Sequence, residues 1–338
     1  MKNFINGTEF TLSELKKIIN MAIGFKNGTI AIPNLSGKIL TLIFNNTSLR
    51  TKLSFESGMY KLNGKSNIIS STDTWDFEYE DSKIMNQNKQ EHIKEAAKVI
   101  AAYSDIIGLR KSELITKESS SQTKQTWNML KQDQAIKQLA KNSNKPIINM
   151  ESNMFHPCQS LADMQTIVEN LGKVKKKKYV LTWAPHPKPL PLATPHSQIL
   201  TPNIFGMDVT LACPKGFELD PSVIELAESH GGKIKIEHDQ KKAFKDADVI
   251  VAKSWASLKY FGKWEEEKKL RNKHSDWMVT QDKIDLSNNA IFLHCLPVRR
   301  NVVVHDRVLD GANSKILQQA ENRMWTQMAL VNKLINTK

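Results

Sequence analysis

The chain of 338 residues is 40% hydrophobic and carries 48 basic against 35 acidic residues, a net charge of +13. Its length supports two domains, each with its own core, and seven tryptophans and twelve methionines exclude a mainly disordered protein. No run of about 18 apolar residues occurs, so no membrane span is predicted, and the opening MKNFINGTEFTLSEL lacks the apolar core of a secretory signal.

Apolar runs of strand length recur with helical patterns between them. The first, KILTLIF over 38–44, leads directly into NNTSLRTKLSFE. A helix starting there offers free backbone N–H groups, the positive end of its dipole and the hydroxyls of Ser48 and Thr51. Arg50 adds a two-pronged grip suited to phosphate oxygens. The same residues are equally compatible with an ordinary N-cap and a surface arginine. SNIIS (66–70) follows, then the loop STDTWDFEYED, then QEHIKEAAK, where Glu91 and His92 read as part of a helix face rather than as metal ligands. DIIGLR (105–110) and PIINM (146–150) complete the first half, and His156-Pro157-Cys158-Gln159 stands just beyond.

KVKKKK, at 173–178, is the one tight basic run; without interleaved aromatics it reads as a solvated loop, and neither nucleic acid nor a membrane is expected as a partner. A basic protein acting on an anionic metabolite fits the charge as well. YVLTWAP (179–185), DVTLACP (208–214), KIKIEHD (233–239), DVIVAKSW (248–255) and AIFLHCLP (290–297) are the strands of the second half. ELAESHGG is a helix end stopped by glycine, QKKAFKDA a short helix, and AENRMWTQMALVNKLINTK an amphipathic terminal helix. Continuous apolar strands alternating with helices predict an α/β protein of two domains, each a parallel sheet flanked by helices. In such sheets ligands bind beyond the carboxyl ends of the strands, and there this chain is rich in polar residues. In His294-Cys295-Leu296-Pro297 the cysteine is a nucleophile only if His294 serves as its base; alternatively the main-chain carbonyls receive an amide N–H₂. The three scattered cysteines fit reduced thiols in a cytoplasmic protein. A dinucleotide enzyme would share the alternation, but no GxGxxG follows any candidate strand.

SLRT after the first long strand, HPCQ in mid-chain and HCLP near the end, in that order, resemble the aspartate/ornithine carbamoyltransferase family over essentially the whole chain. LTWAPHPKPL, AKSW, HCLPVRRN and AENR bring it nearest to the subgroup acting on N-acylated ornithine. The family's SxRTR stands here as SLRTK, with Lys52 in place of an arginine. The SMG motif that reads free ornithine is absent. The resemblance implies the transcarbamylase fold, with a carbamoyl-phosphate domain over 1–153, an acylornithine domain over 154–319 and a C-terminal helix, 320–338, returning to the first. It further implies that Ser48, the Leu49 backbone, Arg50, Thr51 and Arg323 hold the phosphate. Arg110, His156 and Gln159, in the HPCQ turn with Pro157 and Cys158, would address the carbamoyl group, while the carbonyls of Cys295 and Leu296 take its N–H₂. Thr51, Arg110 and His156 would be the catalytic groups. Trp75 matches a residue lent to a neighbouring subunit, which implies a homotrimer. Glu151, His186, Lys253 and Arg299 match positions holding the acylornithine. No cofactor and no metal is expected.

Gln90 bears on the acyl group. Acetyl-preferring members resemble one another in a glutamate just before the Glu-His pair, succinyl-preferring ones in a proline. A glutamate would repel a succinyl carboxylate by about 4 kcal/mol at about 4 Å and an effective dielectric of about 20. Val303, where the acetyl pattern has lysine, and the WAPHP wording also look succinyl-type, whereas AKSWASLKYFGKW looks acetyl-type. N-succinyl-L-ornithine is thus the expected acceptor, with N-acetyl-L-ornithine the alternative and ornithine itself last.

Overall fold

The computed structural model describes residues 2–113 and 126–336. The chain divides into two compact units. The first comprises Met1–Glu113, Leu130–Cys158 and Arg323–Lys338; the second comprises Leu114–Met129 and Gln159–Asn322. The division falls at 158/159, inside the helix Pro157–Leu171, where the resemblance implied 153/154.

Among the described residues, six strands belong to the first unit: β1 (Ile39–Phe44), β2 (Lys65–Ser70), β3 (Phe77–Glu78), β4 (Glu91–His92), β5 (Ile106–Arg110) and β6 (Ile147–Glu151). β3 and β4 form a separate parallel pair, and the main sheet runs β2-β1-β5-β6, all parallel. Glu91 and His92 therefore lie in a short strand, and His92 caps the following helix, Ile93–Ala102, by accepting from the Lys94 N–H. The central strands are buried almost throughout, as their uninterrupted apolar sequence requires, whereas β2 at the edge is half-exposed. The last residues of the terminal helix, Ile316–Ile335, pack within this unit. At Gly58 a Cβ would sit 3.0 Å from Met328 Cγ, so a larger residue there would require the methionine side chain to shift by a few tenths of an ångström.

The second unit holds β7 (Lys178–Trp183), β8 (Asp208–Ala212), β9 (Lys235–Glu237), β10 (Val249–Lys253) and β11 (Ile291–Leu293), ordered β11-β10-β7-β8-β9 and again parallel. All nine longer strands coincide with the apolar runs. The helix Ala193–Ile204 does not announce itself in sequence. It is buried at every residue and carries Pro202 internally, so it has no polar face to set a 3.6-residue period.

Each of the two larger sheets contains one place where the strand order reverses. In the first it lies between β1 and β5, in the second between β7 and β10. At such a point the connections leave in opposite directions and open a crevice at the carboxyl ends.

Candidate active site

In the first unit, strand register sets the frame. Phe44, the last residue of β1, pairs with Arg110 at the end of β5, and Arg110 pairs with Glu151 at the end of β6. The segments leaving these strands are tied together: Asn45 N–H donates to the Arg110 carbonyl at 2.9 Å and Ser112 N–H to Asn46 Oδ1 at 2.7 Å. Beyond Phe44 the chain turns into the helix Leu49–Lys61. Ser48 is its N-cap, extended in backbone, with its hydroxyl accepting from Thr51 N–H at 3.3 Å. No acidic residue occupies the first turn, so the positive end of the dipole is uncompensated. Leu49 points its side chain to solvent, which leaves its backbone as the useful part, and Arg50 is half-buried. Thr51 is fully buried and its hydroxyl accepts from the Arg323 guanidinium at 2.8 Å across 272 residues of sequence.

On the neighbouring strands the Arg110 guanidinium forms an ion pair with Glu151, and His156 Nε2 lies 4.0 Å from the same carboxylate. His156 is buried and immediately precedes the helix opened by Pro157. The Cys158 thiol donates to the Asn149 carbonyl, and burial pushes it up to about 12, so it remains a thiol. Ser48, Leu49, Arg50, Thr51, Arg110, Glu151, His156 and Arg323 thus fall in one unit, at the carboxyl edge of one sheet. Glu151, expected with the acceptor residues, stands here beside Arg110.

Trp75 and Gln90 lie elsewhere in the same unit, on the loops around β3 and β4. Trp75 is 48% exposed and its indole N–H donates to Glu91 at 3.0 Å, next to the exposed Gln90.

The remaining residues belong to the second unit. Lys253 at the end of β10 pairs with Trp183 at the end of β7, and His186 follows three residues later. Arg299 Nε donates to His186 Nε2 at 3.1 Å, and Arg271 donates to the His186 carbonyl. Burial, then the nearby charges of Lys253, Arg299 and Arg271, hold His186 down to about 4, so it is neutral near pH 7. His294, after β11, is fully enclosed and held down to about 3 by burial and then by Lys253. An imidazole held that low is a poor proton acceptor, which weakens the case for Cys295 as a nucleophile activated by His294. Leu296-Pro297 is a cis peptide. Gln159 is buried and donates to Asp163 at 2.8 Å. Asp163 was not singled out in the sequence, although its place four residues after Gln159 puts both on one helix face.

Residues 2–169 match the family model described as aspartate/ornithine carbamoyltransferase, carbamoyl-P binding domain, and 193–334 match its Asp/Orn binding domain. N-acetylornithine carbamoyltransferase of Xanthomonas campestris pv. campestris is 37% identical over 99% of this chain and 98% of its own. N-succinylornithine carbamoyltransferase of Bacteroides thetaiotaomicron is 36% identical over 88% of this chain and 87% of its own. Among solved structures, acetylornithine transcarbamylase complexed with acetylcitrulline superposes with a TM-score of 0.93, at 37% identity and full coverage of both chains. A variant of N-acetyl-L-ornithine transcarbamylase complexed with carbamyl phosphate and N-succinyl-L-norvaline gives 0.92, covering 99% of this chain and 100% of its own.

Proposed function

The chain belongs to the aspartate/ornithine carbamoyltransferase family, and from that premise we propose that it carbamoylates the side-chain amine of N-acetyl-L-ornithine. Carbamoyl phosphate is the donor; N-acetyl-L-citrulline and phosphate are the products, in arginine biosynthesis. The observation that carries the proposal is the charge at the first unit's strand ends. Arg50 in the first turn of the helix Leu49–Lys61, Arg110 at the end of β5 and Arg323 on the Thr51 hydroxyl are three guanidinium groups around a helix N-terminus with no acidic residue in its first turn. Such a setting suits a phosphate dianion.

In this reading Ser48, the Leu49 N–H, Arg50, Thr51 and Arg323 hold the phosphate. Arg110, His156 and Thr51 stabilise the negative charge that grows on the carbamoyl oxygen as the amine attacks, a role in which one donor contributes about 3–4 kcal/mol to the barrier. Gln159 and the carbonyls of Cys295 and Leu296 orient the carbamoyl N–H₂, with Pro157 and Cys158 shaping the turn. Neutral His186 acts as a hydrogen-bonding group for the acceptor, while Lys253 and Arg299 supply charge for its carboxylate; Glu151, assigned to the acceptor by the resemblance, holds Arg110. An alkyl amine has a pKa of about 10.4, so near pH 7.4 roughly one molecule in a thousand is neutral, a handicap of about 4 kcal/mol. A cationic, dry site lessens it, and the departing phosphate takes the proton. A cytoplasmic homotrimer completes the reading; the exposed Trp75, steadied by Glu91, suits a side chain offered to a neighbouring copy.

The acetyl acceptor replaces the succinyl expectation because relatives named for N-acetylornithine match nearly the whole chain, whereas those named for N-succinylornithine match 88% of it. The succinyl reading rests on Gln90, which carries no charge to repel a succinyl carboxylate, and on buried, apolar Val303. Ornithine, N-acetylornithine and N-succinylornithine assayed in parallel with carbamoyl phosphate decide the matter. The highest kcat/KM is expected with N-acetylornithine. A higher value with the succinyl compound overturns that choice, and carbamoylation of none overturns the enzyme reading.

A further inference from the structure

Within the second unit, Asp163 lies on the helix Pro157–Leu171 and is only 2% exposed. Three side-chain amides converge on it. Gln159 Nε2 donates to Oδ1 at 2.8 Å, Gln319 Nε2 to the same oxygen at 2.6 Å, and Gln198 Nε2 to Oδ2 at 2.7 Å. All three glutamines are buried. A carboxylate only accepts, so every amide facing it must present nitrogen and turn its oxygen away. For Gln319 that oxygen has a partner: Oε1 accepts the N–H of His294 at 3.1 Å, the residue that opens the 294–297 turn. One buried charge therefore fixes which way round Gln159 lies and, through Gln319, anchors the turn carrying Cys295 and Leu296.

We propose that Asp163 is a positioning residue for carbamoyl recognition, setting the amide orientation of Gln159 and the register of the Cys295–Leu296 carbonyls. This rests on the reading that those groups address the carbamoyl moiety. A residue that merely stabilises the fold would weaken all ligands together. A positioning residue weakens carbamoyl phosphate while leaving inorganic phosphate, gripped by Arg50 and the helix N-terminus, unaffected. The substitutions differ in a useful way. Asp163→Leu removes the acceptor from all three amides. Asp163→Asn can keep its oxygen toward Gln159 and Gln319 and its nitrogen toward Gln198, whose amide turns over to match. Gln319→Met cuts only the link to the turn.

The experiment measures binding of freshly dissolved carbamoyl phosphate and of inorganic phosphate, by calorimetry, for the parent protein and the three variants. The parent should prefer carbamoyl phosphate. Asp163→Leu should lose about tenfold of that preference, roughly the worth of one well-made hydrogen bond, with phosphate affinity within about twofold of the parent. Gln319→Met should lose part of it, and Asp163→Asn should keep most of it. Should Asp163→Leu fail to fold, Gln319→Met decides by the same criterion. An unchanged preference in the folded variants, or equal loss of both ligands, overturns the role of Asp163. A parent that does not distinguish the two ligands overturns the underlying reading of Gln159 and the turn before any variant is needed.

Discussion

Arg110→Leu separates two things that the Arg110–Glu151 pair does. The Glu151 side chain is 9% exposed and that of Arg110 15%, so removing the guanidinium strands a carboxylate in a nearly dry place. Breaking a buried pair from one side costs about 3–5 kcal/mol; the partial exposure of Arg110 puts the expected loss at the lower end, about 3 kcal/mol. On the proposed reading the same change also removes a donor to the carbamoyl oxygen, which should lower kcat about 10²- to 10³-fold. Stability and catalysis then part company in Arg110→Leu/Glu151→Leu, where an apolar pair replaces the ionic one. Urea melts should show most of the lost stability restored, while product formation at saturating substrates stays depressed. A kcat for Arg110→Leu within threefold of the parent would refute the catalytic assignment. A double variant no more stable than the single one would refute the ion-pair reasoning.

Gln90→Glu should reduce kcat/KM for N-succinylornithine relative to N-acetylornithine by about fivefold to tenfold. The full Coulomb estimate is discounted because Gln90 is exposed and the new charge is screened; an unchanged ratio in the parallel assay removes Gln90 from specificity. His294 is held at about 3 in the fold against about 6.5 when unfolded, so its contribution to stability is complete above pH 6.5 and drains away as pH falls towards 3. His186, held at about 4, acts in the same direction. Urea midpoints should therefore drop between pH 6.5 and 4, and His294→Asn should flatten that dependence; an unaltered curve counts against the buried neutral imidazole. Finally, kcat/KM for the acceptor should climb about tenfold per pH unit from pH 6 towards 9 as the amine deprotonates, and a level profile from pH 6 to 10 refutes that requirement.

Strand positions were legible because a parallel strand buried on both faces has to be continuously apolar. The polar residues that interrupt those runs therefore marked the ends where ligands bind. Which ends come together was not legible. Arg323 and Thr51 are 272 residues apart, and nothing local to either signals the other; only the resemblance brought them into one set. Glu151 entered the acceptor set through the resemblance alone, and its ion pair with Arg110 on the adjacent strand is a partnership that the sequence does not show. The buried helix Ala193–Ile204 hid Gln198, which in a polar stretch reads as surface rather than as a donor to Asp163. The two-residue strands β3 and β4 are too short to show a period, so the setting of Trp75 and Gln90 emerged only from coordinates.

The first unit is spliced from three stretches, and the last begins at Arg323. A ribosome delivers the entire second unit before it emits the residues that press against Gly58 and reach Thr51. A nascent chain stopped before Arg323 lacks the guanidinium that donates to Thr51. On the proposed reading, a site for the phosphate of the donor is complete only once translation has passed the whole second unit.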